Sequence, residues 1–215
     1  NTKNSIHFGY GLHSQMQPIN VYFLQSTDFA GTTSYNNTDL GFTKSQHVVL
    51  GYQVNPWKDW RVKTEAYYQT IHNVPVNSFS SSYSMLNTGS TFKVDLEDSL
   101  VNEGTGENYG IELTVEKFFS KGFYALCTSS IYKSVYVGSD GFQRNTAFNG
   151  RYVFNFLAGK EWGVGNNGRN KFSVDCKFTN AGGRAFTSID LEASNLLNRE
   201  VLSSDAFDSY YSNYY

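Results

Sequence analysis

The stretch from Glu107 to Tyr136 reads ENYGIELTVEKFFSKGFYALCTSSIYKSVY and predicts two β-strands joined by a tight turn. In its first half every second residue is apolar, which is the two-residue period of a strand with one apolar and one polar face. The apolar positions are Tyr109, Ile111, Leu113 and Val115, and the positions between them are Gly110, Glu112, Thr114 and Glu116. Ser120, Lys121 and Gly122 supply the turn, because glycine readily takes a positive φ where the chain reverses. The stretch therefore predicts a β-hairpin.

The same alternation recurs along the whole chain and predicts an all-β fold. Seven strands are expected, near residues 5–13, 45–54, 60–71, 107–118, 123–136, 151–162 and 171–179. Asn20 to Leu24 is a further candidate strand extension. We expect these strands to form an antiparallel up-and-down meander.

The connections between these strands alternate in length. They are short after the second, fourth and sixth strands and long elsewhere, where the expected loops are Ser14 to Lys44, His72 to Gly106, Val137 to Phe148 and Asn180 to Tyr210. In outer-membrane β-barrels, short turns lie on the periplasmic rim and long loops on the extracellular rim. A soluble β-sandwich explains the alternation of faces equally well, but it does not explain the alternation of loop lengths.

The strands separate charged from aromatic residues, which a barrel with a polar interior and a soluble sandwich explain equally well. The charged set on the face opposite the aromatic residues comprises Arg61, Lys63, Glu65, Glu112, Glu116, Lys171, Asp175 and Lys177. Trp57, Trp60 and Trp162 fall at the predicted short-turn ends, where an interfacial aromatic girdle would lie. The alternative is that these tryptophans close the end of a sandwich core.

Composition limits the possible partners and compartments. Aromatic residues make up 17% of the chain and charged residues also 17%, below the roughly 25% charged residues of soluble domains. The net charge of −2 argues against a nucleic-acid partner. Cys127 and Cys176 are expected to be free thiols on strands that are not neighbours. Asn1 to Ile6 lacks the pattern of a signal peptide, so we expect a removed signal or an internal fragment.

No pattern for catalysis, metal binding or cofactor binding is present. Four histidines lie apart, without cysteine or carboxylate residues at ligand spacing, so no metal site is predicted. GVGNNGRNK, at residues 163–171, is glycine-rich but lacks the GK[ST] of a phosphate-binding loop, and a turn is expected. No nucleophile, base and orienting group converge on one motif, so we do not expect an enzyme.

Several long blocks resemble the C-terminal barrel region of TonB-dependent outer-membrane receptors of the Bacteroidetes type. The blocks are GYGLHSQMQP (9–18), LGYQVNPWKDWRVKTEAYYQ (50–69), SMLNTG (84–89), LVNEGTGENYGIELTVEKFF (100–119), SDGFQRNTAFNGRYVFNFLAGKEW (139–162) and GGRAFTSIDLEAS (182–194). The resemblance implies a segment of a transmembrane barrel of about 22 strands. The chain would then be a single barrel fragment over residues 1–215 without the family's plug domain.

The resemblance also implies a function and a location. The parent protein would lie in the outer membrane of a Gram-negative cell and import a nutrient, with a plug domain and periplasmic TonB as partners. Siderophore, haem, cobalamin, peptide and glycan ligands are not distinguished. The charged face would contact the plug, and His13, Gln15, Gln17 and Arg184 are the candidate ligand-binding residues. The alternative is a soluble secreted or surface β-sandwich that binds glycan or protein.

Overall fold

The structure is a computed structural model that describes residues 3–90, 96–165, 169–203, 207 and 209–210. Its strands are β1 (Lys3–Gln15), β2 (Ser26–Thr27), β3 (Thr33–Ser34), β4 (Thr43–Asn55), β5 (Trp60–Asn77), β6 (Leu100–Ser120), β7 (Phe123–Val137), β8 (Gln143–Asn145), β9 (Tyr152–Val164), β10 (Asn170–Ala181), β11 (Ala185–Phe186) and β12 (Ser209–Tyr210). The helices are α1 (Ile19–Tyr22) and α2 (Leu191–Leu197), with a 3-10 turn at Met85–Asn87.

One antiparallel sheet dominates the molecule. Its strands are hydrogen-bonded in the order β1-β4-β5-β6-β7-β9-β10, and β8 pairs with β7. Each long strand thus lies beside the next long strand in the chain, which confirms the all-β meander. The sheet is open, with β1 and β10 at its edges, and two short ribbons, β2–β3 and β11–β12, lie among the loops.

Each of the seven strands expected from the sequence corresponds to a long strand of this sheet. The largest difference concerns the loop expected from His72 to Gly106, because β5 continues to Asn77 and β6 begins at Leu100. Register shifts on both sides of Val74 interrupt the pairing there, and Asn73 takes a φ of 56°. Such irregularities disturb the local alternation while the strand continues, so the pattern in the sequence ends before the strand does.

The register gathers the apolar side chains on one face of the sheet. One row across it consists of Phe8, Leu50, Ala66, Ile111, Ile131 and Tyr152. Phe8 is 69% exposed, Ile111 61% and Ile131 68%. In the described chain, therefore, the face that would normally form a core is open to its surroundings.

The tryptophans at the short-turn end are also at the surface. Trp57 lies edge-on to Trp60 with their ring centroids 6.0 Å apart, and Trp162 stacks on Phe172 at 5.9 Å. Trp57 is 70% exposed and Trp162 45% exposed. These rings do not close the end of a buried core, in contrast to the sandwich alternative.

Buried residues concentrate at the opposite end, among the long loops. Val21, Leu40 and Leu100 form a cluster there, against which Tyr83 and Met85 pack. Ile19–Tyr22 forms the helical turn α1, so the expected strand extension from Asn20 to Leu24 is wrong. Val21 on this turn is 1% exposed and packs in the cluster. The loops thus have a small core of their own.

The two helices are short and lie in these loops. The side chain of Asp190 caps α2 by accepting a hydrogen bond from the Ala193 amide at 2.9 Å, as is usual for an N-cap aspartate. The helix ends where Asn198 takes a left-handed conformation. None of the helices in the described ranges is long and apolar enough to cross a membrane.

Candidate functional site

The polar face of the sheet carries the charged residues expected from the sequence. Arg61 and Glu116 lie opposite each other on β5 and β6 and form an ion pair. Lys63 pairs with Glu65 along β5, and the Glu65 carboxylate also lies 3.0 Å from His7 Nε2. Cross-strand pairs of opposite charge contribute modestly to the stability of a sheet. The register places Glu112, Asp175 and Lys177 on this same face.

In two of the polar-face contacts, side chains of next-but-one strands meet over a glycine of the strand between them. Gly51 lies between His7 and Glu65 in the register, and a Cβ at Gly51 would lie 1.9 Å from His7 Nε2. Gly159 lies in the same way between Tyr124 and Asp175, whose side chains make a hydrogen bond of 2.6 Å. Because glycine has no side chain, both places have enough space for the two side chains to reach each other.

Tyr124 and Glu161 were not among the residues predicted for this face. Glu161 pairs with Lys171 across β9 and β10, with 2.8 Å between carboxylate and ammonium. Both residues have the position in the alternation that marks the polar face, so the sequence contained the signal for them. Their partners, however, depend on the register between strands.

A cavity of about 670 Å³ lies among the long loops. Its walls come from the connection between β5 and β6, from the loop after β7 and from the segment that includes β11. The described lining consists of Asn77, Ser81–Ser84, Asn87–Ser90, Glu97, Ala147, Arg184–Thr187, Leu202 and Phe207. Hydroxyl and amide side chains are numerous here, and two of the lining residues, Glu97 and Arg184, carry formal charges.

Hydrogen bonds between loops fix the walls of this cavity. The buried Tyr136 donates its hydroxyl to the Ser82 carbonyl at 2.9 Å, and the Asn87 side chain accepts from the Ala147 amide at 2.9 Å. These contacts tie the connection between β5 and β6 to β7 and its following loop. The cavity therefore does not depend on a single loop for its shape.

Asn37 holds the backbone of Glu97 in position. It is fully buried, and its amide nitrogen donates to the carbonyls of Val21 and Glu97 at 3.1 and 2.9 Å. Its side-chain oxygen accepts from the Leu100 amide at 2.8 Å. These bonds give the buried side-chain amide its hydrogen-bond partners, as is general for buried polar groups, and they join the loop after β1 to one wall of the cavity.

Arg184 is exposed at the cavity and is held from two sides. Its Nη1 donates to the Ser90 carbonyl at 3.5 Å, and its guanidinium lies 6.0 Å from the centroid of the Phe148 ring. Such a cation–π contact orients the planar guanidinium. Glu97, in contrast, has no hydrogen-bond or ion-pair partner for its carboxylate among the described residues.

A second ion pair stabilises the loop that follows β7. Asp140 and Arg144 are both nearly buried, with 2.9 Å between carboxylate and guanidinium. Burial would by itself raise the pKa of Asp140, but hydrogen bonds from Arg144 and from the Phe142 amide outweigh it and lower that pKa. The pair thus favours the charged form of Asp140 in the folded loop.

The four candidate ligand-binding residues do not come together. Arg184 lines the cavity, whereas its described lining does not include His13, Gln15 or Gln17. His13 and Gln15 lie exposed at the end of β1. Gln17 is 8% exposed and donates from Nε2 to Thr43 Oγ1 at 2.7 Å, so it stabilises the base of the loop. Glu97, which was not predicted, lies in the cavity with Arg184.

The remaining reactive side chains are dispersed. No group of three or more histidine, cysteine, aspartate or glutamate residues that could hold a metal ion occurs in the part of the chain that the structure describes. Cys127 on β7 and Cys176 on β10 are free thiols, with β9 between them. Comparison with known proteins gave no match to a family model, to a curated protein or to a solved structure.

Proposed function

We propose that this chain forms part of the wall of an outer-membrane β-barrel, in a TonB-dependent receptor that imports a nutrient. The observation that carries the proposal is the exposed apolar face of the long sheet. Large apolar side chains such as Phe8, Ile111 and Ile131 cover it, and large exposed apolar patches mark contact with a membrane or a partner. Lipid would cover this face in the barrel.

The dimensions of the sheet support the same proposal. A strand needs about 9–11 residues to cross the membrane at a tilt, and the long strands, from β10 with 12 residues to β6 with 21, all exceed this length. Short turns with Trp57 and Trp162 lie at one end, and long loops with their own core lie at the other. In a barrel these ends correspond to the periplasmic and extracellular rims.

The polar face would then line the barrel interior. Arg61, Lys63, Glu65 and Glu116 are paired on this face, as expected for charges that leave bulk water. In a complete receptor the plug domain would pack against them, and TonB would act on the plug from the periplasm. The extracellular loops, with their cavity, would select the ligand.

The rival proposal, a soluble β-sandwich that binds glycan or protein, requires a second layer over the apolar face. The other two sheets among the described residues are ribbons of two strands each. Neither is large enough to cover seven long strands. This observation favours the membrane-embedded barrel.

Solubility in the presence and absence of detergent tests the proposal. The purified chain should aggregate in plain buffer and become monodisperse with β-sheet circular dichroism in detergent micelles or lipid vesicles, because only an apolar environment covers the exposed face. A folded, monodisperse chain in plain buffer would contradict the barrel.

For the parent protein, deletion of its gene should abolish growth on one of a panel of single nutrients, and loss of TonB should have the same effect.

A further inference from the structure

The loop cavity contains one positive and one negative side chain that are not paired with each other. Arg184 and Glu97 both line it, and no ion pair within 4.0 Å joins them. Opposite charges in a confined space normally pair, since each lowers the energy of the other. Among the described residues neither side chain has an oppositely charged partner, so both are available to a molecule in the cavity.

Contacts among the described residues position the backbone of Glu97 and the guanidinium of Arg184. The Glu97 backbone is fixed through Asn37, while its carboxylate has no partner among the described residues. Arg184 uses Nη1 for the Ser90 carbonyl and places its guanidinium against Phe148. A guanidinium has five N–H donors, so four of them remain for a carboxylate. The Arg184 guanidinium is thus preorganised, which lowers the entropic cost of binding.

We propose that this cavity binds a small zwitterion with a free amino and a free carboxyl group, such as a short peptide. The inference rests on the receptor function proposed above and names the ligand class for its loops. Arg184 receives the carboxylate, for which a guanidinium is geometrically suited, and Glu97 accepts the ammonium group. Hydroxyl groups of Thr88 and Ser90 can bind backbone amides. The cavity volume of about 670 Å³ lies within the range of roughly 300–1,000 Å³ for small-ligand sites.

Capped and uncapped peptides provide the test. The full chain in detergent is dialysed separately against three mixtures: a defined set of tripeptides, the same set N-acetylated, and the same set C-amidated. The bound peptides are measured by mass spectrometry. Either cap should weaken binding about tenfold, since one charge-assisted contact is lost. Glu97→Gln should abolish the preference for a free amino group, and Arg184→Gln the preference for a free carboxylate.

Glu103→Gln and Arg199→Gln are the matched controls, because Glu103 and Arg199 are exposed and lie outside the cavity lining. Both should retain both preferences. Circular dichroism and the urea midpoint of each variant establish that it is folded. Equal binding of capped and uncapped peptides, no binding of any tripeptide, or binding of a neutral oligosaccharide in their place would overturn the proposal.

The outcome is separable from that of the receptor proposal. A chain that needs detergent but does not distinguish capped from uncapped peptides would refute only the ligand class. A chain that is soluble in plain buffer yet loses its amino-group preference in Glu97→Gln would refute the barrel and retain the zwitterion site.

Discussion

At the scale of single residues, two glycines decide which polar side chains meet. Next-but-one strands are about 9.6 Å apart, twice the spacing of roughly 4.8 Å between neighbours, so side chains bridge this distance only when nothing projects from the strand between them. Gly51 leaves that room for His7 and Glu65, and Gly159 for Tyr124 and Asp175. The glycines therefore allow side-chain contacts between strands whose backbones are not hydrogen-bonded to each other.

Gly159→Ala should break the bridge between Tyr124 and Asp175. The new Cβ would lie 2.1 Å from Asp175 Oδ1 and 2.2 Å from the Tyr124 ring, so both side chains must move apart. We expect a loss of about 1 kcal/mol in the free energy of unfolding, the value of one hydrogen bond, measured by urea titration in detergent. Gly9→Ala is the control, because its nearest neighbour would be 3.9 Å away. Equal effects of the two substitutions would refute the bridge.

The ion pair between Asp140 and Arg144 predicts a pH dependence. Because the pKa of Asp140 lies below its ordinary value of 3.8 in the folded protein, the pair stabilises the loop fully above that value. The contribution is lost as the pH falls from 3.8 to the lower folded-state pKa. We expect Asp140→Asn to be less stable than the wild type by about 2 kcal/mol at neutral pH.

The two unfolding midpoints should converge in acid, where Asp140 is protonated and resembles asparagine. The measurement is thermal unfolding of both proteins between neutral pH and pH of about 2. Other carboxyl groups with a lowered pKa, such as Asp98, change equally in both proteins and do not affect the comparison. A difference that stays constant down to the lowest pH would show that the charge of Asp140 is not involved.

At the scale of elements, strand β6 has an apolar and a polar face that differ in their surroundings. Its apolar side chains, including Ile111 and Leu113, are 61% and 40% exposed on one face. On the other face Glu116 is paired with Arg61, and Thr114 lies between Lys63 and Thr128 in the register. Successive residues thus meet either lipid or the polar interior in the proposed barrel.

Arginine substitutions on adjacent residues of β6 test this assignment. Leu113→Arg should cost about 2–4 kcal/mol in lipid vesicles, because a charge near the bilayer midplane loses its hydration. Thr114→Arg should cost far less, since this side chain lies on the polar face and would not enter the lipid. Both values come from equilibrium unfolding in the same vesicles. A larger cost at Thr114 than at Leu113 would reverse the assignment of the two faces.

At the scale of the whole molecule, the two ends of the sheet differ in construction. The loop end contains the buried cluster of Val21, Leu40 and Leu100 and the cavity beside it. The turn end consists of tight connections such as Lys121–Gly122, where both residues take a positive φ of 51° and 71°. Such a polarity suits a barrel whose loops bind ligand outside and whose turns face the periplasm.

Epitope tags inserted into the full-length protein test this orientation. A tag after Gly31 lies in an exposed loop, where a Cβ would meet nothing within 4 Å, and it should bind antibody on intact cells. A tag after Lys58, in the short turn between β4 and β5, should bind antibody only after the outer membrane is permeabilised. Binding of antibody to the second tag on intact cells would contradict the orientation.

The sequence by itself determined the strands, their order and the separation of polar from apolar faces. Alternation is a local property, since each residue's face follows from its distance along the strand, and the charged residues from Arg61 to Lys177 accordingly lie where the pattern placed them. Only the tertiary structure decided the loops. There Asn37 bonds to Leu100, and Arg184 and Glu97 come to one cavity, through contacts between segments far apart in the chain. These contacts depend on how the loops pack against one another, and no local pattern of residues encodes such distant pairings.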